Sequence, residues 1–259
     1  MPAELRSTSH GRTMVLTLHH PERRNGLSPE MCAAGVEALN AAGDDSDVRS
    51  VVIVGDGRHF CSGVDLLGLQ SRLQRAPEAP ADGIDGLHMW IEEIRTFPKP
   101  VIAAVEGSAA GAGFSLAMAC DFIVAARDAV LAMTSVRVGL SPNGGGTWEL
   151  ARALPRQCAN EFAMLGGQIP AERLAALGIV NRVTASGGAF AAALDIAAEL
   201  NALPSNVIAS TKELITEAAA MPASLHLRKE RDHFVRNLHY ANAGVGIDAF
   251  ITGTVARFD

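Results

Sequence analysis

The sequence predicts an α/β fold followed by an all-helical tail. Short apolar runs that suit buried parallel strands alternate with helical segments as far as about residue 183. Beyond that point only helical patterns follow. Hydrophobic residues make up 48% and charged residues 19% of the 259 residues, which is enough apolar surface for a sizeable core. We therefore expect an α/β core with a helical appendage.

The N-terminal segment predicts a strand and then a capped helix. Residues 14–18 alternate between apolar and polar side chains, as in a strand. A turn-rich loop follows, and Ser28, Pro29 and Glu30 then predict a helix start. Serine caps the first turn, proline fits it, and an acidic group lies at the positive end of the helix dipole. This helix is expected to end near residue 42.

The middle of the chain repeats a strand-then-helix order. Residues 51–54 and residues 101–105 are apolar runs that predict buried strands. Between them, the Pro- and Gly-rich residues 76–86 predict a mobile surface loop, and residues 87–95 predict a helix. The second strand leads into a small-residue turn and an apolar helix over residues 113–120.

The tail is predicted to be helical throughout. We expect its helices at residues 189–200, 205–219, 225–237 and 246–251. The chain is accordingly divided into an α/β core, residues 1–195, and a C-terminal helical region, residues 196–259. Apolar faces in this region suggest burial against another subunit.

Charge and cysteine usage exclude several classes of function. The net charge of −6 and the absence of a lysine-rich run argue against a nucleic-acid partner. The four cysteines are far apart in apolar segments, which indicates a reduced protein without a metal site. No apolar run reaches membrane-spanning length and no signal core is visible, so we expect a soluble, cytoplasmic protein that does not bind membranes.

Two strand-to-turn junctions carry the most specific signal. Residues 60–66 (FCSGVDL) follow the first buried strand, and residues 106–114 (EGSAAGAGF) follow the second and open a helix. The N–H groups of a first helical turn have no intrahelical partner and favour negative charge. Either junction alone is more often a packing feature, and neither has a nucleotide-binding fingerprint. Together they would direct N–H donors at one point.

These junctions, with two further segments, resemble the enoyl-CoA hydratase/isomerase (crotonase) family over nearly the whole chain. Residues 21–27 (PERRNGL) are similar to its first CoA-contacting loop, and residues 60–66 to its F-x-A-G-x-D-[LI] motif. Residues 102–121 resemble its glycine turn and helix, and residues 246–250 resemble the start of its C-terminal helix. The resemblance implies a crotonase (ClpP-like) spiral of repeated ββα units with a C-terminal helical region, assembled as a homotrimer or homohexamer.

The resemblance also implies a site for an acyl-CoA thioester. The backbone N–H groups of Val64 and Ala112 would form an oxyanion hole, and no cofactor is expected beyond the coenzyme A of the substrate. Arg23 and Arg24 would lie near the phosphates. Further contacts to CoA or substrate are implied for Leu27, Ser62, Leu66, Gly111, Ser115 and Ser135.

The acid/base positions depart from the family's pattern. Ser115 and Ser135 stand where the family's hydratases carry two glutamates, and serine is not a base unless another group activates it. Asn143, in the turn GLSPNGG, stands where related isomerases carry a carboxylate. An amide can orient a substrate but cannot remove a proton. Isomerisation is favoured over hydration because both hydratase glutamates are absent. The nearest branch resembles isomerases and ring-opening hydrolases of aromatic-acid CoA degradation.

Two functions stay open on the sequence alone. One is an enzyme that acts on an unsaturated acyl-CoA through an enolate stabilised by the two N–H groups, with Asn143 over the reacting carbons. The other is an acyl-CoA-binding protein that has lost its acid/base chemistry. Other candidates for proton transfer have stronger structural explanations as surface or capping residues: Asp65, His59, His88, Glu149 and Arg137.

Overall fold

The computed structural model describes residues 3–75 and 80–258. Nine strands lie in these residues: β1 (Glu4–His10), β2 (Thr13–His19), β3 (Ser50–Gly55), β4 (Val101–Val105), β5 (Ser108–Ala110), β6 (Phe122–Ala126), β7 (Val130–Ala132), β8 (Ile169–Pro170) and β9 (Arg182–Thr184). Eleven helices lie in the same residues: α1 (Pro29–Asp44), α2 (Leu66–Arg75), α3 (Pro80–Thr96), α4 (Ala112–Ala119), α5 (Gly146–Ala153), α6 (Arg156–Leu165), α7 (Ala171–Ala176), α8 (Ala189–Asn201), α9 (Ser205–Ala218), α10 (Ala223–Leu238) and α11 (Ala241–Thr252).

The strands form two sheets. The larger has the order β1-β2-β3-β4-β6-β9, with β1 antiparallel to β2 and the remaining pairs parallel. The smaller contains β5, β7 and β8. Only Glu106 and Gly107 separate β4 from β5, so the chain contributes one strand to each sheet before α4 begins. The predicted α/β core and helical tail are confirmed.

Both faces of the large sheet are covered, which explains the continuous apolar strands. Val51 and Ile53 of β3 point into the main core, whereas Val52 packs under α8. On the main-core side, α1 and α3 pack so closely that a Cβ on Gly35 would overlap the buried indole of Trp90. This packing fixes the position of α3 relative to the strands.

The sequence prediction was wrong in several places. Helix α2 was not predicted, and α11 begins at Ala241 instead of residue 246. Residues 76–86 were expected to form a loop, but residues 80–86 lie in α3, while residues 76–79 lie outside the described residues. A Cβ on Gly83 would lie only 3.3 Å from Pro29, so this glycine allows close packing on α1. Strand β1 was missed because its side chains are largely exposed and lack an apolar face.

Helix α9 attaches to the core, and to α10, through polar contacts. Lys212 of α9 donates from Nζ to the carbonyl of Ile94 at 2.8 Å and to the Asp121 carboxylate at 2.7 Å. The side chains of Asn206 and Asn237 hydrogen-bond at 2.9 Å and join α9 to α10. The division at residue 195 stays a prediction. Within the described residues, no helix combines the length and the apolarity needed to cross a membrane.

Candidate functional site

The first junction is paired with the second by a short parallel bridge. Cys61 donates its backbone N–H to the carbonyl of Ser108 at 3.0 Å, and Ala110 donates to the carbonyl of Cys61 at 2.9 Å. Helix α4 then packs directly on this bridge. A Cβ on Gly113 would lie 2.5 Å from the Cys61 carbonyl oxygen, so only glycine allows this approach.

A second bridge holds the other edge of the first junction. Leu27 donates its N–H to the carbonyl of Gly63 at 2.7 Å, and Asp65 donates to the carbonyl of Leu27 at 3.0 Å. In this parallel pairing Val64 lies between the two bonded positions. Its own N–H therefore points away from Leu27.

The two junctions meet at Gly63. A Cβ at this position would lie 2.7 Å from the carbonyl oxygen of Ala110 and 3.1 Å from the nitrogen of Ala112. The φ of Gly63 is +92°, a conformation that favours glycine. Val64 directly follows Gly63, so its backbone nitrogen lies one residue from this contact between the two junctions.

Neither N–H group is used elsewhere in the described part of the chain. Val64 and Ala112 donate to no described backbone acceptor. Ala112 is the first residue of α4, so it has no intrahelical acceptor, and Gly111 before it provides no side-chain cap. Ala112 is only 2% exposed. Two neighbouring donors at a buried helix N-terminus are suited to an oxygen that gains negative charge.

The thiol beside these donors has a packing role. Cys61 is fully buried, and its Sγ accepts a hydrogen bond from the N–H of Gly63 at 3.3 Å. Burial raises the pKa of the Cys61 thiol to about 12. A thiol that stays protonated near neutral pH is a poor nucleophile.

Ser115 is committed to a structural contact. It lies in the first turns of α4, is fully buried, and donates from Oγ to the carbonyl of Asn143 at 2.8 Å. A Cβ on Gly146 would lie 2.5 Å from this Oγ, and one on Gly144 would lie 3.1 Å from the Ser115 Cβ. The serine thus holds the proline turn against α4.

The proline turn that carries Asn143 contacts His88 through the next residue. Asn143 is half-buried, and its side-chain amide makes no hydrogen bond to another described residue. The next residue, Gly144, donates its N–H to Nε2 of His88 at 3.4 Å. His88 is exposed on α3, as the sequence suggested, but it also borders this turn. Ser135 lies near the other side of the helix start, where a Cβ on Gly111 would be 3.9 Å from its Oγ.

The loop with the two arginines is held by Ser62. Its N–H donates to the carbonyl of Arg24, and its Oγ donates to the carbonyl of Arg23, both at 2.9 Å. The arginine side chains are exposed. Leu27 is buried in the core, whereas Leu66 is 45% exposed at the start of α2. The predicted phosphate-contacting residues therefore lie at the surface, next to the first junction.

Sequence reasoning missed two residues of this loop region. Asn25 is fully buried at φ +58°, and its amide donates to the carbonyls of Asp56 at 2.9 Å and His59 at 2.7 Å. The Asn-Gly dipeptide was its only sequence signal. Arg58 was also missed. Burial lowers the pKa of His59, and the charges of Arg24 and Arg58 lower it further, so positive charge is concentrated here.

The remaining acid/base candidates are engaged elsewhere. The backbone carbonyl of Asp65 accepts the N–H of Leu69 at the start of α2, which places the Asp65 carboxylate at the surface end of the first junction. Arg137 donates from Nε to the carbonyl of Gly166 at 2.7 Å. Glu149 was expected to face solvent, which was wrong. Its side chain is 22% exposed, and its Oε1 lies 3.2 Å from Nε of Arg95 in α3. Burial raises the pKa of Glu149, while Arg95 and Arg152 oppose the rise.

The sequence and the fold are similar to those of known proteins. A sequence profile described as enoyl-CoA hydratase/isomerase matches residues 9–258. The chain is 33% identical to a 1,2-epoxyphenylacetyl-CoA isomerase of Escherichia coli K12, covering 95% of this chain and 94% of that protein. It is 34% identical to a carnitinyl-CoA dehydratase of Salmonella typhi, covering 96% of each. A crystal structure of an enoyl-CoA hydratase from Polaromonas sp. JS666 superposes with a TM-score of 0.97 at 55% identity, covering 99% of this chain and 100% of that one. The predicted crotonase fold is confirmed.

Proposed function

Because the chain belongs to the enoyl-CoA hydratase/isomerase family, we propose that it isomerises an unsaturated acyl-CoA through an enolate. The thioester oxygen would accept hydrogen bonds from the backbone N–H groups of Val64 and Ala112. The observation that carries this proposal is the pair of neighbouring N–H groups that donate to no described backbone acceptor.

The physical reason is the charge that develops during the reaction. Removal of a proton next to an acyl thioester places negative charge on the thioester oxygen. Two fixed donors at the start of α4 stabilise that oxygen without reorganising, and loss of one such donor typically costs ~10²–10³ in rate. Because the donor is a backbone N–H group, it does not depend on the side chain, so alanine at position 112 is compatible with a role in the oxyanion hole.

The polar side chains at positions 115 and 135 favour isomerisation over hydration. Hydration needs groups that activate and deliver water, and no carboxylate stands at 115 or 135. The Ser115 hydroxyl proton is already donated to the carbonyl of Asn143. Isomerisation needs only the removal and return of a proton. We propose that Asn143 orients the acyl group, and that the substrate belongs to the aromatic-acid class named in the isomerase relative.

We propose that the CoA moiety lies along the loop before α1. Arg23 and Arg24 would face its phosphates, because exposed guanidinium groups pair well with phosphate oxygens. Ser62 and Leu66 would flank the adenine, and Leu27, Gly111 and Ser135 would line the path of the thioester. No group beyond the coenzyme A of the substrate is required.

A non-catalytic acyl-CoA-binding protein is the second candidate function. It is favoured by Asn143 and Ser115, which cannot act as bases where relatives carry carboxylates. Proton exchange at the α carbon of a saturated acyl-CoA in deuterated buffer separates the two functions, since exchange requires both an oxyanion site and a base. We expect exchange, and turnover of at least one member of an enoyl-CoA panel. Binding without exchange or turnover would leave only the second function.

We also propose that the protein forms homotrimers or homohexamers. Large apolar side chains are exposed at the C-terminus: Phe250 is 88%, Ile251 74% and Val255 89% exposed. Such a patch commonly marks an interface. Light scattering after size-exclusion chromatography should give the mass of a trimer or a hexamer, and a monomer mass would contradict the proposal.

A further inference from the structure

A histidine lies against the turn that carries Asn143. His88 belongs to α3, and its Nε2 accepts a hydrogen bond from the N–H of Gly144 at 3.4 Å. Asn143 immediately precedes Gly144 and stands where the isomerases that this sequence resembles carry a carboxylate. The imidazole is therefore next to the position at which a proton-transferring group is missing.

Helix α3 connects this histidine to the proposed oxyanion site. Leu87 and His88 each lie about one turn of the helix before Ile91. A Cβ on Gly144 would lie 3.0 Å from Cδ1 of Ile91 and 3.4 Å from Cδ2 of Leu87, so this side of α3 packs on the proline turn. Leu87 also lines a small cavity together with Val64. One side of α3 thus borders both the first N–H donor and the turn.

The contact to Gly144 defines which ring nitrogen of His88 carries the lone pair. A backbone N–H faces Nε2, so Nε2 carries the lone pair and the neutral ring has its proton on Nδ1. This is the form of imidazole that can remove a proton. The hydrogen bond is long and the ring is exposed, so rotation of the side chain releases the lone pair at little cost.

The other polar groups near the turn are less suited to this role. The Ser115 hydroxyl is donated to a carbonyl, and Glu149 is paired with Arg95 in a separate cavity beside Trp148. His59 lies 3.1 Å from the Ser108 hydroxyl, in the loop before the first junction. Among the described residues, His88 is the basic side chain that hydrogen-bonds to the proline turn.

We propose that His88 is the general base of the isomerisation, an inference that rests on the proposed function. Nε2 takes a proton from the substrate carbon, and the electron pair of that C–H bond moves into a dienolate whose charge lies on the thioester oxygen. The imidazolium returns the proton to the other end of the dienolate. The double bond is displaced, and the protein ends in its starting protonation state.

The test compares His88→Gln with wild type and with His10→Gln. Glutamine keeps an acceptor for the Gly144 N–H but cannot remove a proton, and His10 lies exposed on β1, far along the chain from the turn. Exchange of the α protons of a saturated acyl-CoA in deuterated buffer should fall by about 10²–10⁴ in His88→Gln, the usual contribution of general base catalysis. The Kd for the same acyl-CoA should not change, and His10→Gln should match wild type in both measurements. Added imidazole should restore exchange in His88→Gly.

The outcomes separate this inference from the proposed function. Exchange in His88→Gln equal to wild type would overturn the role of His88 and leave the enolate reaction standing. Equal loss of binding and exchange, without rescue by imidazole, would mean that His88 is only structural. If wild-type protein bound acyl-CoA without exchange, no residue would act as the base, and the non-catalytic binding function would be supported. Wild-type protein that binds no acyl-CoA would overturn both proposals.

Discussion

Replacement of Gly63 by alanine should separate the two N–H donors. The new Cβ would lie 2.7 Å from the carbonyl oxygen of Ala110 and 3.1 Å from the nitrogen of Ala112. Both neighbours are backbone atoms, so the two junctions must move apart. The φ of +92° adds strain of its own for a residue with a Cβ.

The magnitude follows from these contacts. Strain at a positive φ costs roughly 1–2 kcal/mol. Weakening of the hydrogen bonds that flank Gly63 adds about 0.5–1.5 kcal/mol for each bond. We therefore expect Gly63→Ala to lower the free energy of unfolding by roughly 2–4 kcal/mol. Displacement of one donor should reduce α-proton exchange of a saturated acyl-CoA by ~10²–10³.

Gly11→Ala is the matched control. Gly11 also has a positive φ, +59°, but no atom lies within 4 Å of a Cβ built there, in the exposed turn between β1 and β2. It should lose only the strain energy of roughly 1–2 kcal/mol and keep full exchange activity. Urea denaturation gives the stabilities, and mass spectrometry gives the exchange rates. If Gly63→Ala kept the exchange rate of Gly11→Ala, the claim that the closely placed N–H groups form the reactive site would be refuted.

Three further predictions test other parts of the site. Asn25→Ala removes three side-chain hydrogen bonds of a buried residue. It should lower the free energy of unfolding, measured by urea denaturation, by roughly 2–4 kcal/mol and should weaken acyl-CoA binding. Unchanged binding would show that this loop is not part of the CoA site. In the double variant His88→Gln/Asn143→Asp, the new carboxylate should act as a base and raise the rate of α-proton exchange about 10²-fold over His88→Gln alone. If the rate did not rise, the reacting carbon would not lie beside residue 143. Burial raises the pKa of Glu149 above 4.5 because it disfavours the charged carboxylate in the folded protein. The protonated side chain therefore makes its full contribution to the unfolding free energy below pH 4.5, and this contribution is lost as pH rises through the raised pKa. The unfolding free energy of wild type relative to Glu149→Gln should fall across that range, and a difference that grows with pH would contradict the assignment.

Local patterns were sufficient to predict the elements that hold the two junctions. The apolar run of β4 has the same bounds, Val101–Val105, in the sequence prediction and in the structure, because the strand is buried on both faces. The helix start at Ser28 was equally clear, and its Oγ accepts the N–H of Met31 at 3.2 Å. Glycine was harder to interpret. In α3 it allows close packing on α1 and does not end the helix, so the start of α3 was misplaced.

Contacts between distant residues could not be predicted from the same patterns. His88 and Gly144 are 56 positions apart, and their contact depends on how α3 packs against the proline turn. Ser115 was correctly judged unable to act as a base, but its hydrogen bond to the carbonyl of Asn143, 28 positions away, had no sequence signal. The burial of Glu149 likewise depends on Arg95 of α3. Each of these requires the relative placement of two helices or of a helix and a turn.

A crystal structure of the protein with a bound saturated acyl-CoA would measure most directly whether the two N–H groups hold the thioester oxygen. We expect that oxygen at about 2.7–3.1 Å from the backbone nitrogens of both Val64 and Ala112. The reacting carbons should face Asn143 and His88. A thioester oxygen that contacts neither nitrogen, with the acyl group bound elsewhere, would contradict the proposed oxyanion site.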